Sequence, residues 1–292
     1  MYGRRRRVAL GAVLALFVAY AAFANAGHPA TDNGRTDLSA VSWPQQGQAA
    51  LVLGKGRPAA SPNEQPVPIA SLAKVMTAYL TLERYPLSGA QDGFTITVTA
   101  AQAQIEARDQ SVVAVQAGEQ LTERQLLEAL LIPSANNIAE MLAVETAGSE
   151  PRFIAEMNAK ARALGMDHTV YTDPSGLDSG TVSTAADQLR VFRRAMRFSV
   201  FRQIVSMATV TLPVAGTLTN FNPLVTEGYA GKTGSDSAAG GCLAFFTQVT
   251  IGGHGLTAVG VVMGQGHGSN TSEILAAAGQ AAKQLVQSVA PA

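Results

Sequence analysis

The segment "PIASLAKVMTAYL", residues 68–80, is apolar but contains one serine, Ser71, and one lysine, Lys74. Its alanines, leucines, valine, methionine and tyrosine predict a helix that is buried on most sides. Burial of an ammonium group is costly unless the pKa of the lysine falls. In a helix, positions i and i+3 share a face, so the Lys74 amine can reach the Ser71 hydroxyl. The segment therefore predicts a lysine that acts as a base towards a serine.

The S-x-x-K pattern is too short to establish on its own that Lys74 acts as a base. A lysine at this position could instead extend its ammonium group to the solvent. In favour of chemistry, Ser71 lies near the predicted start of the helix, where the partial positive charge of the helix dipole favours an oxyanion. Both interpretations stay open on this segment alone.

Two further motifs follow along the chain. Ser134-Ala-Asn136 lies in "IPSANNIAE", just before or at the start of a predicted helix. Lys232-Thr-Gly234 lies in "GYAGKTGSDSAAGGC", at a predicted strand edge. The order S-x-x-K, S-x-N, K-T-G, with steps of 63 and 98 residues, is the signature of active-site serine penicillin-binding proteins and serine β-lactamases. Three motifs in this order favour the catalytic interpretation of Lys74.

The surrounding sequence resembles the low-molecular-mass penicillin-binding proteins that act as D-alanyl-D-alanine carboxypeptidases. The similarity is carried by "PIASLAKVMTAYL", by "MNAKARALGMDHTVYTDPSGLD" followed by "STAADQL", and by "NFNPLVTEGYAGKTG". It extends from about residue 48 to about residue 265. The resemblance implies hydrolysis of peptidoglycan stem peptides that end in D-Ala-D-Ala through an acyl-serine intermediate. It also implies β-lactams as covalent inhibitors and no cofactor.

The periodicity along the chain predicts an α/β fold of the α+β kind. Segments near both ends, "QAALVLGKG", "GCLAFFTQVTI" and "GLTAVGVVMGQ", have strand character, whereas the middle of the chain has helical periodicity. These segments predict one sheet that is assembled from both ends of the chain, with a helical insert between them. The resemblance implies the serine β-lactamase and penicillin-binding transpeptidase-like fold: a five-stranded antiparallel sheet flanked by helices, with the active site beside a helical subdomain. Trp43 precedes the first strand and is expected to pack rather than to bind.

The resemblance also implies catalytic roles for five residues. Ser71 is expected to form the acyl-enzyme, with Lys74 as its base. Ser134 is expected to pass the proton to the leaving D-alanine, and Lys232 to tune that transfer electrostatically. Asn136 is expected to hold the substrate amide. Hydrogen bonds from Lys74 to Ser71, Ser134 and Asn136 are expected to pair the buried amine.

The resemblance assigns three more residues to substrate binding: Thr233, Gly234 and Ser235. Thr233 and Lys232 are expected to meet the terminal carboxylate, and the backbone N–H groups of Ser71 and Ser235 to form the oxyanion hole. No lysine or arginine lies between Ser235 and Lys283. Recognition of the carboxylate therefore has to come from Lys232, from hydroxyls or from an arginine elsewhere. The preference between carboxypeptidase activity and D,D-endopeptidase activity on cross-links stays open.

The composition limits the partners. The chain of 292 residues has 21 basic and 21 acidic residues, and without the arginines at positions 4–7 it has 17 basic and 21 acidic residues. This balance argues against nucleic acid as a partner. The single cysteine, Cys242, excludes an internal disulfide, and the scattered histidines lack metal-ligand spacing, so no metal site is predicted.

The first 26 residues have the pattern of a secretory signal peptide. A basic start precedes a 16-residue apolar run, Val8–Phe23, and an A-x-A site that ends at Ala26. The run is short for a membrane span. Residues 27–46 are polar and predict a leader or linker, and residues 47–292 the peptidase domain. The domain is expected to be secreted, periplasmic or cell-wall associated, and to meet the membrane only through an uncleaved N-terminal segment.

Two other functions share some of these motifs. A serine β-lactamase of class A carries an E-x-x-L-N segment whose glutamate activates water, but the corresponding region here, "HTVYTDPSG", has no glutamate. Slow deacylation of β-lactams is therefore expected. A non-catalytic penicillin-binding sensor or wall-binding module would be expected to have damaged motifs, and all three are intact here. One local departure is Asn137, where relatives often have aspartate.

Overall fold

The structure is a computed structural model that describes residue 38 and residues 41–105, 110–266 and 270–290. The predicted signal peptide and most of the predicted leader lie outside the described residues. Every described residue belongs to one compact unit, Thr36–Ala292. In this part of the chain, no helix is long and apolar enough to cross a membrane.

Within these ranges the chain forms strands near both ends and most of its helices in the middle. The strands are β1 Gln48–Leu53, β2 Ala59–Ala60, β3 Val67–Pro68, β4 Thr95–Thr97, β5 Gln120–Thr122, β6 Val182–Ser183, β7 Thr209–Leu212, β8 Gly216–Thr219, β9 Ala230–Asp236, β10 Gly240–Ile251 and β11 His254–Gln265. The α-helices are α1 Ala73–Arg84, α2 Glu123–Leu131, α3 Asn136–Ala147, α4 Glu150–Ala163, α5 Ala185–Ala195, α6 Ser199–Val205 and α7 Thr271–Gln287.

The main sheet is assembled from both ends of the chain. Its five antiparallel strands lie in the order β2-β1-β11-β10-β9. β1 pairs with β11, with Gln48 opposite Met263 and Leu53 opposite Ala258. All six residues of β1 are buried, as in a strand that is covered on both faces. The predicted five-stranded antiparallel sheet is confirmed.

Helices cover both faces of this sheet. Successive side chains of β1 point to opposite faces, so Ala50 and Val52 join a large apolar cluster with α1 and α5, whereas Leu51 and Leu53 join a second cluster with α7. α5 packs on β1 and β11, and α7 packs on β10 and β11. Each large aliphatic side chain buried in this way contributes about 1.5–3 kcal/mol to folding.

Helix α1 is the centre of the helical subdomain. Its residues from Ala73 to Leu82 are all buried, because α1 packs against α2, α3, α4 and α5. The burial predicted for this segment is confirmed. Two neighbouring helices have side-chain caps at their N-termini: Thr122 caps α2, and Thr184 accepts from the Asp187 N–H of α5 at 3.2 Å.

Local details differ from the sequence prediction. Ser71 lies in a separate 3₁₀ turn, Ala70–Leu72, that precedes α1. Helix α6 and strand β8 were not predicted, and β8 pairs only with β7 in a small hairpin outside the main sheet. These elements have seven and four residues, too few for periodicity to distinguish them from loop.

Candidate active site

The three motifs meet between β9, an edge strand of the sheet, and the helical subdomain. The 3₁₀ turn presents Ser71, the first turn of α1 presents Lys74, and the loop before α3 presents Ser134. A cleft of about 300 Å³ is lined by residues from all three motifs, among them Ser71, Ser134, Asn136, Thr233, Gly234 and Ser235. Among the described residues, no cluster of histidine, cysteine, aspartate or glutamate is placed to hold a metal ion.

Lys74 is fully buried beneath the cleft. Its Nζ lies 2.8 Å from Ser71 Oγ, 2.6 Å from Asn136 Oδ1 and 2.8 Å from the Ser175 carbonyl oxygen. Burial lowers the pKa of Lys74 to about 7, against the opposing effect of the Asp173 charge. A neutral amine has two hydrogens and one lone pair. Because the Asn136 and Ser175 oxygens can only accept, the lone pair is directed to the Ser71 hydroxyl.

Lys232 is the second fully buried lysine of the site. Its Nζ donates to Ser134 Oγ and to the Thr233 carbonyl oxygen, both at 2.8 Å. Burial, together with the nearby Lys74 charge, lowers the pKa of Lys232 well below its usual value. Ser134 thus accepts a hydrogen bond from Lys232. The predicted hydrogen bond from Lys74 to Ser134 is wrong, because Lys74 Nζ is directed to Ser71, Asn136 and Ser175. The Ser134 hydroxyl keeps its own hydrogen for a group in the cleft.

Gly234 brings β9 into contact with the 3₁₀ turn. A Cβ at this position would lie 2.7 Å from the Ile69 carbonyl oxygen and 3.2 Å from the Ser71 nitrogen. Only glycine allows this approach without a shift of backbone. The K-T-G motif therefore holds Ser235 beside Ser71, so that the backbone N–H groups of both residues border one cleft.

The backbone is strained at Ser134 and at Ala70, the residue that precedes Ser71. Ala70 has φ +44° and Ser134 has φ +63°, in the left-handed region that costs a residue with a side chain about 1–3 kcal/mol. Gly176 packs directly on the Ala70 carbonyl and leaves no room there for a Cβ. The surrounding packing thus holds Ala70 in a conformation that presents Ser71 to Lys74.

No catalytic role was predicted for the loop that supplies the Ser175 carbonyl. Asp173 accepts hydrogen bonds from the Ser175 N–H at 3.1 Å, the Ser175 hydroxyl at 2.6 Å and the Thr181 hydroxyl at 2.6 Å. These bonds fold the loop so that the Ser175 carbonyl faces Lys74. The available signal was an aspartate two residues before a serine in "DPSG", which is typical of an Asx-turn.

Two asparagines connect α3 to another wall of the cleft. Asn136 Nδ2 donates to Gln110 Oε1 at 3.1 Å. Asn137 accepts from the Val113 N–H at 3.2 Å and donates to the Val113 carbonyl at 2.9 Å. Gln110 and Ser111 line the cleft. Neither was predicted, because they belong to a segment without periodicity.

The family profile that matches the chain is that of the D-alanyl-D-alanine carboxypeptidases, over residues 59–266. This range includes all three motifs and four of the five strands of the main sheet in full. The chain belongs to the D-alanyl-D-alanine carboxypeptidase family. Membership in this family confirms the family predicted from the motifs.

Relatives within the D-alanyl-D-alanine carboxypeptidase family carry two activities in their names. The D-alanyl-D-alanine carboxypeptidase DacB2 of Mycobacterium tuberculosis is 38% identical over 50% of this chain and 48% of its own length. The D-alanyl-D-alanine endopeptidase of Escherichia coli is 32% identical over 62% of this chain and 60% of its own length. The chain therefore matches about half the length of these curated relatives.

A solved structure shows the same fold. A single-substitution variant of the Streptomyces K15 DD-transpeptidase superposes with a TM-score of 0.71 and 25% identity, covering 84% of this chain and 97% of that one. The predicted penicillin-binding protein fold is confirmed.

Proposed function

We propose that the chain is a serine-type D-alanyl-D-alanine carboxypeptidase that hydrolyses peptidoglycan stem peptides. The observation that supports this most directly is the 2.8 Å contact between Ser71 Oγ and the Nζ of Lys74, a buried amine with a pKa of about 7. A base with a pKa near neutrality combines the correct protonation state with useful basicity. The family assignment supports the same reaction class.

The geometry supports a two-step acyl transfer. Neutral Lys74 takes the proton of Ser71 as Oγ attacks the carbonyl carbon of the penultimate D-alanine. The backbone N–H groups of Ser71 and Ser235 stabilise the oxyanion. Ser134, held by Lys232, donates a proton to the departing amine as the peptide bond breaks, and the proton that Lys74 took from Ser71 moves to Ser134 to replace it. Lys74 is then neutral again and takes a proton from the water that attacks the acyl-serine ester. As the ester bond breaks, Lys74 returns this proton to Ser71 Oγ, and the shortened peptide leaves.

D,D-endopeptidase activity on cross-links is the second candidate. Two apolar side chains on the cleft wall, Leu177 and Phe221, are 52% and 43% exposed and can contact a second peptide chain. Several relatives are named as endopeptidases. Analysis of the products from a D-Ala-D-Ala pentapeptide and from a cross-linked dimer, under matched conditions, separates the two activities.

Intact mass after incubation with benzylpenicillin tests the proposed nucleophile. We expect one adduct per chain, located on the peptide that contains Ser71, and slow release of the drug. Ser71→Ala is expected to keep the fold and lose the adduct. Covalent labelling that persists in this variant contradicts the mechanism, and rapid hydrolysis of many equivalents identifies a β-lactamase instead.

We also propose that residues 47–292 are the catalytic domain and that residues 1–26 direct it out of the cytoplasm. The start of β1 at Gln48 supports the boundary, and the location of peptidoglycan supports export. N-terminal sequencing of the protein recovered from outside the cytoplasm tests this proposal. A start after Ala26 indicates cleavage, whereas retention of the first residues indicates an anchor.

A further inference from the structure

A second cavity, of about 550 Å³, lies beside the start of β1. Its lining includes an aromatic ring, four glutamines and one helical alanine: Trp43, Gln45, Gln46, Gln265, Ala281 and Gln284. Ser42 and Pro44 also line it. Among the described residues, none that line it is charged. Trp43 is the only tryptophan of the chain. Its indole packs against the second apolar cluster, as expected from the sequence, and also borders the cavity.

Among the glutamines of this cavity, Gln265 is held at the bottom by hydrogen bonds, whereas Gln45 and Gln284 lie exposed at the opening. Gln265 is buried, and its Nε2 donates to the carbonyl oxygens of Gln46 at 2.6 Å and Met263 at 3.0 Å. Gln45 and Gln284 are exposed, and neither amide forms a hydrogen bond within the described part of the chain. A ligand would therefore meet a rigid floor and two amide groups that are open to it.

This chemistry suits a neutral sugar with an acetamido group. An amide side chain can donate and accept at once, and an indole offers a flat apolar face next to polar groups. Cavities of this size with an aromatic wall and a few convergent polar groups are typical of small-ligand sites. An ionic ligand would find no opposite charge on the lining residues, whereas sugar hydroxyls and an acetamido group match the amides.

The position of the cavity relates it to the catalytic cleft. Ser235, Gly241 and Gln265 lie opposite one another on β9, β10 and β11, so Gln265 is about 10 Å from Ser235 at a strand spacing of about 4.8 Å. Helix α7 also joins the two places: Thr271 lines the cleft and Gln284 lines the cavity, about 20 Å further along.

A stem peptide can span the distance of about 10 Å from Ser235 to Gln265. An extended peptide of about four to five residues is about 13–18 Å long. The leaving D-alanine is assigned to the side of Ser134 and Thr233. The other end of the donor peptide, which carries the sugar, then leaves the cleft past Ser235. It has to pass around the first turn of α7, where Ile274 packs on Gly241, to reach Gln265.

We propose that this cavity binds an N-acetylated amino sugar of the glycan strand that carries the donor stem peptide. The choice of this sugar as the natural ligand rests on the proposed function, in which the substrate of the chain is peptidoglycan. The binding test below does not depend on catalysis.

Emission of the single tryptophan gives a direct measurement. Titration of the protein with a trimer of N-acetylglucosamine is expected to give a saturable change in Trp43 fluorescence. Gln284→Ala is expected to weaken binding about fivefold, as for the loss of one hydrogen bond. Gln280→Ala, an exposed position on the same helix outside the cavity lining, is the matched control and is expected to bind normally. Because alanine has a high helix propensity, neither substitution is expected to disturb α7.

Two fluorescence results overturn the proposal. One is unchanged Trp43 emission at high trimer concentration with the protein folded, as verified by circular dichroism. The other is an equal response in the wild type and in Gln284→Ala. Either result means that the cavity does not recognise the sugar through the amide assigned to it.

Kinetics separate this proposal from the proposed function. We expect a higher kcat/KM for a stem peptide that carries its amino sugar than for the same peptide alone. Gln284→Ala should reduce this advantage, and Gln280→Ala should keep it. Hydrolysis of peptides without trimer binding overturns the sugar site only. Trimer binding without hydrolysis of either peptide overturns the proposed activity and leaves the site in place.

Discussion

Lys74 illustrates how burial converts a common side chain into a base. Removal from water favours the neutral amine, and the Asn136 and Ser175 oxygens accept its two hydrogens. The S-x-x-K spacing was enough to predict the contact with Ser71. The contact with Ser175 was not predictable, because it depends on how a loop about 100 residues away folds around Asp173.

Asp173→Asn is expected to shift the pH dependence of acylation. The Asp173 charge raises the pKa of Lys74 against the larger effect of burial, so its removal lowers that pKa below about 7. Since the proposed mechanism uses the neutral amine of Lys74, the acid limb of the profile should move to lower pH. The rate of acylation by benzylpenicillin, measured from about pH 5 to about pH 9, reports this shift.

The matched control for this variant is Asp178→Asn. Asp178 lies in the same loop and caps the Gly180 N–H, but it is not among the groups that shift the pKa of Lys74. Its profile is expected to keep the wild-type acid limb. An acid limb of Asp173→Asn that stays in place, or moves to higher pH, contradicts the electrostatic assignment.

Asn137→Asp is expected to destabilise the fold by about 1–3 kcal/mol near neutral pH. A carboxylate accepts from the Val113 N–H but cannot donate to the Val113 carbonyl, which is paired with the Asn137 amide. Urea unfolding measures the loss, which should shrink in acid as the carboxyl group regains a hydrogen. Asn270→Asp is the control, because Asn270 caps α7 only as an acceptor. Equal stability of both variants would contradict the role of the donor.

At the scale of elements, the site depends on how closely β9 approaches the 3₁₀ turn. Sequence patterns predicted the helical middle of the chain and the strand character of β10 and β11, because their apolar positions repeat over ten or more residues. They did not predict the 3₁₀ turn that carries Ser71, since a single turn has no period. The two-residue strands β3 and β6 were missed because two residues are too few to show a period.

Gly234→Ala is expected to slow acylation by at least about a hundredfold, as displacement of reacting groups by about 1 Å does. The added Cβ would press on the Ile69 carbonyl and move Ser235 away from Ser71. The rate of acylation by benzylpenicillin measures the effect. Gly255→Ala in β11 is the control, because a Cβ there meets nothing within 4 Å. Wild-type acylation in Gly234→Ala would show that the close approach is dispensable.

At the scale of the whole molecule, buried ionisable groups lower the free energy of unfolding when they are charged. Glu123, the first residue of α2, is only 1% exposed, and its Oε1 has no hydrogen-bond partner among the described residues. Burial raises the pKa of Glu123 to about 7, although the Phe94 N–H and the Arg124 charge oppose the shift. The folded state therefore holds a proton that the unfolded chain releases at a lower pH.

Glu123→Gln is expected to make stability less dependent on pH. In the wild type, the stabilisation that comes from the protonated Glu123 carboxyl group is fully present below pH 4.5 and is lost as the pH rises through about 7. The variant should gain about 1–2 kcal/mol at about pH 8 and little at about pH 4. Urea midpoints at both pH values measure this. Glu145→Gln, exposed on α3, should show no such gain, and an equal gain in both variants contradicts the assignment.

The central place of β11 in the sheet has a consequence for biogenesis. β11 lies between β1, made first, and β10, made just before it. Until the last of these strands has left the ribosome, β1 has no central partner, and the β9–β10 pair cannot join it. A nascent chain thus carries Ser71 and Lys74 without the assembled site until β11 has emerged. The proposed activity is therefore absent up to that point of synthesis.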